Sequence, residues 1–351
     1  MNGATRKCLV WDLDNTLWDG ICLEEEVELR PEALGVIEIL DRRGILHSVA
    51  SRGEADVARR KLEAFGLDQY FLAPRINWLP KPANLVAIAE ELGIGVDSLA
   101  FMDDDPFERE HMAFMRPEVL VLDALDLAGI PDLPDFKPEV VTPESARRRT
   151  FYREDVERQA AEAGHEDRRA FLDSCRMRLT VRAPTEADVP RVRELMSRTH
   201  QLNTTGLLLD EARIHALLKH RKGTATPGTS LVVAEFHDRF GAYGVVGVAI
   251  IEEDRSRCRL TYLAMSCRVL GRGVESAFLH TILEQARGRG NSCIEAELRD
   301  TGRNGSMRTL FQMSGFVAQG EAHGDETIVF TLERESKRRP PNWVGVQCES
   351  F

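Results

Sequence analysis

The sequence lacks the features that would place it in a membrane, on nucleic acid or among disulfide-stapled folds. No apolar stretch approaches the ~20 residues of a membrane span. No run of signal-peptide length precedes Lys7, which leads straight into a short apolar segment. The expectation is therefore a cytoplasmic chain with no membrane contact. Positive charge is in deficit: 46 Lys and Arg against 57 Asp and Glu leave a net charge of −11. That balance argues against a nucleic-acid partner, because a phosphate backbone attracts cationic surfaces. The seven cysteines are scattered and none forms a CxxC pair, so neither a disulfide framework nor a zinc site is indicated. Free thiols in a reducing compartment are the simplest account, and no internal repeat is visible.

A length of 351 residues points to two domains, and a hydrophobic content of 43% is enough for ordinary cores. In the first part of the chain, strand-like and helix-like segments alternate. Cys8 to Trp11 is an apolar run ending in acids. Helices are expected after Pro31, over Glu54 to Phe65 and over Ala83 to Leu92, where Gly93 stops the pattern. Strands are expected over Ile45 to Ala50 and Leu99 to Met102. Such alternation predicts a parallel sheet with helices on both faces and ligands at the carboxyl ends of the strands. Asp12, Ser51 and Asp103 fall at those ends. The segment 131–176 holds a Pro-rich linker and a charged helix. A second α/β unit is expected over 177–335, followed by a tail, 336–351.

Asp12-Leu13-Asp14-Asn15-Thr16-Leu17-Trp18 carries two carboxylates two residues apart. Such a pair is often a surface turn. In chemistry, one carboxylate can attack phosphorus while the other moves the proton. Lys81 can neutralise a phosphate oxygen and Ser51 can hydrogen-bond another. Asp103 and Asp104 can help to hold Mg²⁺, which prefers oxygen ligands. Four such elements in this order resemble the haloacid dehalogenase superfamily of phosphatases and phosphotransferases, whose first motif is DxDx[TV]. The resemblance implies Asp12 as nucleophile and Asp14 as general acid/base. It also implies Mg²⁺ held by Asp12, the Asp14 backbone carbonyl and Asp103, with Asp103 and Asp104 interchangeable in that role. Only 32 residues separate Asp12 from Ile45 and 29 separate Ser51 from Lys81. Neither gap holds a large cap domain, so an open site, suited to a substrate borne on a macromolecule, is expected.

Ser266-Cys267-Arg268-Val269-Leu270-Gly271-Arg272-Gly273 follows an expected strand and opens an expected helix. Backbone amides at Gly271 and Gly273 would offer an anion site there. In this context the segment resembles the pyrophosphate loop of the GNAT acetyltransferase fold, and Thr301 to Phe316, with Asn304, resembles the end of such domains. Cys267, beside Arg268 and a helix N-terminus, is expected to have thiolate character; a small buried residue on a strand is the plainer account. His200 and Asn203 form a polar cluster that is either a helix-end cap or a substrate-contacting loop.

The expected fold class is thus α/β: a capless, Rossmann-like haloacid dehalogenase domain over 1–130 and a GNAT-like α/β domain over 177–335. With Asp103-Asp104-Asp105-Pro106-Phe107-Glu108-Arg109-Glu110 added to the two motifs, the chain resembles the FkbH-like family over nearly its whole length. Asp105 departs from the family pattern, which has Asn there. The resemblance implies a glyceryl transferase/phosphatase of polyketide biosynthesis. Such an enzyme takes the phosphoglyceryl group of 1,3-bisphosphoglycerate, removes its phosphate and loads glyceryl onto the phosphopantetheine thiol of an acyl carrier protein. Cys267 is then the candidate for a covalent relay, and the phosphopantetheine arm would lie against the Gly271–Gly273 loop. Arg147-Arg148-Arg149 or Lys219-His220-Arg221-Lys222 could meet the acidic carrier. The rival reading is a Mg²⁺-dependent phosphatase whose second domain is non-catalytic or an independent acetyltransferase.

Overall fold

The computed structural model of the chain describes residues 5–165, 167–219, 228–254, 256–320, 327–332, 339–349 and 351. The chain divides into two compact units, Met1–Val156 and Glu157–Phe351.

The first unit is built on β1 (Cys8–Trp11), the short antiparallel pair β2 (Trp18–Asp19) and β3 (Glu28–Leu29), α1 (Pro31–Arg42), β4 (Leu46–Ser51) and α2 (Ala55–Ala64). These are followed by β5 (Arg75–Ile76), α3 (Lys81–Leu92), β6 (Leu99–Asp103), α4 (Pro106–Met115) and β7 (Leu120–Asp123). The five longer-range strands form one sheet in the order β5-β4-β1-β6-β7, every neighbouring pair parallel. Alternate residues of β1 serve opposite faces, as strand geometry requires. Leu9 and Trp11 pack in a core with Val36, Ile37 and Leu40 of α1. Cys8 and Val10 pack in another with Leu85 and Ile88 of α3. Helix α3 begins with Pro82 in its first turn and ends where Gly93 turns left-handed (φ 62°), its amide reaching the Ala89 and Glu90 carbonyls. Between β1 and β4 there are only the β2–β3 pair and α1, and between β4 and α3 only α2 and β5. No cap domain is inserted at either place, as the spacing predicts.

Past β7 come 3₁₀ turns over Ala124–Asp132 and Pro134–Phe136, then α5 (Pro143–Ala146). Phe136 is fully buried in the first unit's core, so part of the expected linker belongs to that unit. Helix α6 (Arg148–Ala163) crosses from one unit to the next.

The second unit comprises α7 (Arg168–Ser174), β8 (Met177–Arg182), α8 (Val189–Arg198), α9 (Glu211–Lys219), β9 (Gly228–His237), β10 (Ala242–Glu253) and β11 (Arg257–Met265). It continues with α10 (Val274–Gly288), β12 (Cys293–Arg299), α11 (Gly305–Met313), β13 (Phe316–Gln319), β14 (Thr327–Leu332) and β15 (Val344–Cys348). The sheet order is β13-β14-β12-β11-β10-β9-β8-β15. Most pairs are antiparallel, but β11–β12 and β8–β15 are parallel. Strand β15 lies in what the sequence reads as a tail, and it closes one edge of the sheet. Its signal is faint because Val344 is its one buried residue.

Strands β11 and β12 pair from Arg257/Cys293 to Leu260/Ala296 and then part. The chain fills the gap itself. Thr204 N donates to Leu263 O, Met265 N to Leu202 O and Arg299 N to Thr204 O. Segment 202–204 thus sits between the two strands as a short bridge.

Candidate functional site

The acids of the first motif stand at the carboxyl end of β1. Asp12, Ser51, Lys81 and Asp103 come from the ends of β1, β4 and β6 and the start of α3, and all four are buried. Lys81 Nζ lies 2.7 Å from Asp12 Oδ1 and 2.6 Å from Asp103 Oδ2. The Ser51 hydroxyl also donates to Asp12. Burial pushes the Asp12 carboxyl up to about 7; Lys81 pulls against this and Asp103 adds to it. Burial also raises Asp103, again opposed by Lys81. Lys81 itself loses charge stabilisation to burial, but the two carboxylates outweigh that and leave its ammonium more basic than usual. The physical sense is one cation shared by two carboxylates that water no longer screens.

Asp104 completes the group. Carboxylate oxygens of Asp12, Asp103 and Asp104 all lie within 4.8 Å of one another, close enough to hold a cation. An all-oxygen set facing a single ammonium fits Mg²⁺ chemistry. Asp104 is set by Thr16, whose hydroxyl donates to Asp104 Oδ1 (3.1 Å) and accepts from the Asp104 amide (3.0 Å). Asp105 caps α4 by accepting from the Phe107 amide, and its own amide donates to Asp103 Oδ1. The departure at 105 therefore serves the helix start and leaves the acid cluster intact.

Asp14 is placed differently from Asp12. Its Oδ1 accepts from Trp18 Nε1 (2.7 Å) and from the Cys22 amide (3.0 Å), so its carboxylate faces the β2 turn and stands outside the three-acid group. The expected pairing of two neighbouring acids is thus one of chain position, with different partners for each side chain. The roles of Trp18, Cys22 and Thr16 escape sequence reasoning. Trp18 and Thr16 stand in the first motif, but nothing there marks Trp18 as a donor to Asp14 or Thr16 as the partner of an acid 88 residues away.

In the second unit, Asn203 is buried in the bridge between β11 and β12. It donates to Thr199 O and Tyr262 Oη and accepts from the amides of Thr205 and Gly206. Asn304, also buried, donates to the carbonyls of Asn203, Thr204 and Arg299. Asn203 therefore orders the bridge, as a cap would, and does not present its amide to a substrate. His200 stays exposed. Beside the bridge, a cavity of about 360 Å³ is lined by Leu209, Leu217, Ile250, Glu252, Glu297 and Arg299, among others. Burial raises Glu297 there, with Arg259 opposing.

Cys267 is exposed and begins a short turn, with Arg268 Nε donating to Ser266 Oγ. The glycine loop does not match its expected use as an open anion cradle. The Glu275 carboxyl lies against the amides of Gly273 and of its own residue; burial raises it, and those amides, with Arg272, hold it back. A Cβ on Gly273 would stand 2.7 Å from Pro341 Cγ. The loop's donors meet the chain's own carboxylate, and the glycine's bare face packs on the chain's own proline. The two basic clusters differ in standing. Arg149 bonds Asp41 and stacks on Tyr70 within the first unit. The cluster at 219–222 lies outside the described residues apart from the backbone of Lys219, and so does the 335/336 boundary.

No protein-family model and no curated protein matches this chain. Solved structures similar to it fall on the two units separately. The N-terminal part of the Bacteroides fragilis protein BF1531, which contains a phosphatase domain complexed with Mg, is 26% identical over 43% of this chain, with a TM-score of 0.31. The match spans 40% of that protein's chain. The ribosomal-protein-S18-alanine N-acetyltransferase of Escherichia coli is 15% identical over 44% of this chain and 92% of its own, with a TM-score of 0.33. The corresponding enzyme of Brucella melitensis is 22% identical over 43% and 96%, with a TM-score of 0.33. Among the described residues, no helix is long and apolar enough to cross a membrane.

Proposed function

We propose that the first unit is a Mg²⁺-dependent phosphohydrolase and that the whole chain is a glyceryl transferase/phosphatase serving an acyl carrier protein. The observation that carries the first part is Lys81, buried and bonded to both Asp12 and Asp103 beside a third acid. Asp12 Oδ attacks phosphorus and the bond from phosphorus to the ester oxygen breaks. Asp14 gives its proton to the leaving oxygen, then takes one from the water that hydrolyses the aspartyl phosphate. Lys81 and Ser51 hold the phosphoryl oxygens. Asp12, Asp103 and Asp104 would hold Mg²⁺, with the Asp14 carbonyl that the family resemblance implies, and the ion would supply positive charge to the transferring group.

The finer reading rests on the family resemblance, with support from the absence of a cap and from the cavity. The acyl carbon of 1,3-bisphosphoglycerate is attacked by the Cys267 thiolate, and inorganic phosphate leaves. The carrier's phosphopantetheine thiol then takes the acyl group, restoring Cys267. The remaining phosphate ester, borne on a protein, needs the uncapped Asp12 site. Glu252, Glu297 and Arg299 give the 360 Å³ cavity the donors and acceptors that a small polyol requires.

The test is intact-mass spectrometry of holo-carrier protein incubated with the enzyme, Mg²⁺ and 1,3-bisphosphoglycerate. The reading expects a glyceryl adduct. Asp12→Asn should leave a phosphoglyceryl adduct or none, and Cys267→Ala should abolish loading. Phosphate release without any adduct would refute the transfer half and keep the phosphatase half.

A further inference from the structure

We infer that the second unit is closed to coenzyme A by its own residues, with Glu275 standing where a diphosphate would bind and Pro341–Trp343 strapped over the glycine loop. A diphosphate is normally taken by free backbone amides at a helix N-terminus, approached closely because glycine has no side chain. Both conditions fail at the start of α10. The Glu275 carboxylate already lies against the Gly273 and Glu275 amides. The face of Gly273 (φ 83°) is covered so tightly that even a methyl group would meet Pro341 Cγ at 2.7 Å and Trp343 Nε1 at 3.3 Å.

The carbonyls of the loop are fixed as well. Trp343 Nε1 donates to Arg272 O (2.8 Å) and Arg168 Nη2 donates to Gly271 O (3.0 Å). The strap is held from both sides. The Arg169 guanidinium lies 4.8 Å over the Trp343 ring and also bonds Asn342. Directly after the strap, β15 joins the sheet edge through five register pairs with β8, from Val344/Met177 to Cys348/Val181. A free loop waiting for a ligand would not be clamped on its carbonyls and its glycine face together, with a carboxylate standing against its amides.

The consequence is a selection between two carriers of the same thiol arm. Coenzyme A brings a nucleotide diphosphate and needs the closed cradle. An arm attached to a carrier protein through one phosphodiester brings no such group and does not need it. Glu275, Pro341 and Trp343 are thus specificity determinants against nucleotide-borne thioesters. The part that concerns the carrier rests on the function proposed above; the exclusion of coenzyme A does not.

The experiment is calorimetric titration of the full chain with acetyl-coenzyme A, alongside Glu275→Ala, Trp343→Ala and the double variant, each checked for a cooperative melt. The wild type should show no binding at 1 mM. Glu275→Ala should bind at least about ten-fold more tightly than the wild type, the effect of freeing a charge-assisted hydrogen-bond site, and Trp343→Ala, which uncovers Gly273, should also bind more tightly than the wild type. Micromolar binding by the wild type, or folded variants that bind no better than it does, would overturn the inference. Neither outcome depends on phosphatase activity or glyceryl loading, so failure here is distinguishable from failure of the proposed function.

Discussion

The dependence of Mg²⁺ affinity on pH follows from the charge of the Asp12 group. In the metal-free fold the Asp12 carboxyl is pushed up to about 7, against 3.8 for an ordinary aspartate, first by burial and then by Asp103. A metal ligand must be deprotonated, so below pH 7 the cation competes with a proton. Each pH unit of that competition costs about 1.4 kcal/mol, a factor of about ten in affinity. Lowering the pH from 8 to 5.5 should therefore weaken Mg²⁺ binding about 30-fold, or by about 2 kcal/mol. Stability moves in the same direction. A carboxyl raised on folding adds stability below its unfolded value of 3.8 and loses it as pH rises towards 7. The metal-free first unit thus carries its full ionisation cost above pH 7, where Mg²⁺ relieves it. At a fixed Mg²⁺ concentration, the rise in melting temperature on adding the metal should be larger at pH 8 than at pH 5.5. At ~2–4 °C per kcal/mol for a unit of this size, the difference should be about 4–8 °C. Differential scanning calorimetry with Mg²⁺ and with EDTA reads this directly. An equal or larger shift at pH 5.5 would show that Asp12 is not a protonated ligand in the metal-free fold.

Trp18→Phe removes the indole donor from Asp14 Oδ1 and leaves the Cys22 amide in place. Phosphate release from a small phosphate ester should fall about ten-fold, the value of one hydrogen bond to a charged group. The Mg²⁺ midpoint should stay within about two-fold, and a matching loss of metal affinity would place Asp14's side chain among the ligands instead. His47 is buried, accepts from Trp11 Nε1 at Nδ1 (3.0 Å) and donates from Nε2 to Ile37 O (3.1 Å). Burial pushes it down to about 3 from 6.5, so its stability contribution, present above 6.5, drains away as pH falls towards 3. By pH 4.5 that loss is on the order of 3 kcal/mol. His47→Gln should melt lower than the wild type at pH 7.5, yet lose less stability between pH 6.5 and 4.5. Parallel pH curves for the two proteins would remove His47 from the acid response.

The first unit was legible because its signals are local and dense. Cys8 to Trp11 is apolar throughout, its carboxyl end is acidic, and Gly93 marks a helix stop that the backbone uses. The site was legible for the same reason, since Asp12, Ser51 and Asp103 stand at the ends of expected strands and Lys81 stands just before an expected helix. What escaped was settled by distant packing. Nothing at Trp18 indicates that its indole turns to Asp14. Strand β12 alternates Ile294, Ala296 and Leu298 with charged neighbours, a locally readable pattern. Strand β15 has little apolar signal because its neighbour β8 supplies the register. Gly273 is a position that needs a bare backbone, but the sequence holds no sign that the group coming close is Pro341. A glycine records that something approaches; only the fold shows what.

Charge balance separates the two loops more sharply than motif matching does. At the first, the acids of Asp12, Asp103 and Asp104 face one ammonium, Lys81. Fully ionised, they leave two negative charges in a buried place, which a divalent cation offsets and protons otherwise must. That imbalance is why burial raises Asp12 and Asp103, and it gives the fold a reason to take up a metal. At the second, the amides of Gly273 and Glu275 already face a carboxylate belonging to the same helix turn. An incoming diphosphate would meet a resident negative charge there and would have to displace it. The same reasoning that favours a cation at the strand tips of the first unit disfavours an anion at the glycine loop of the second.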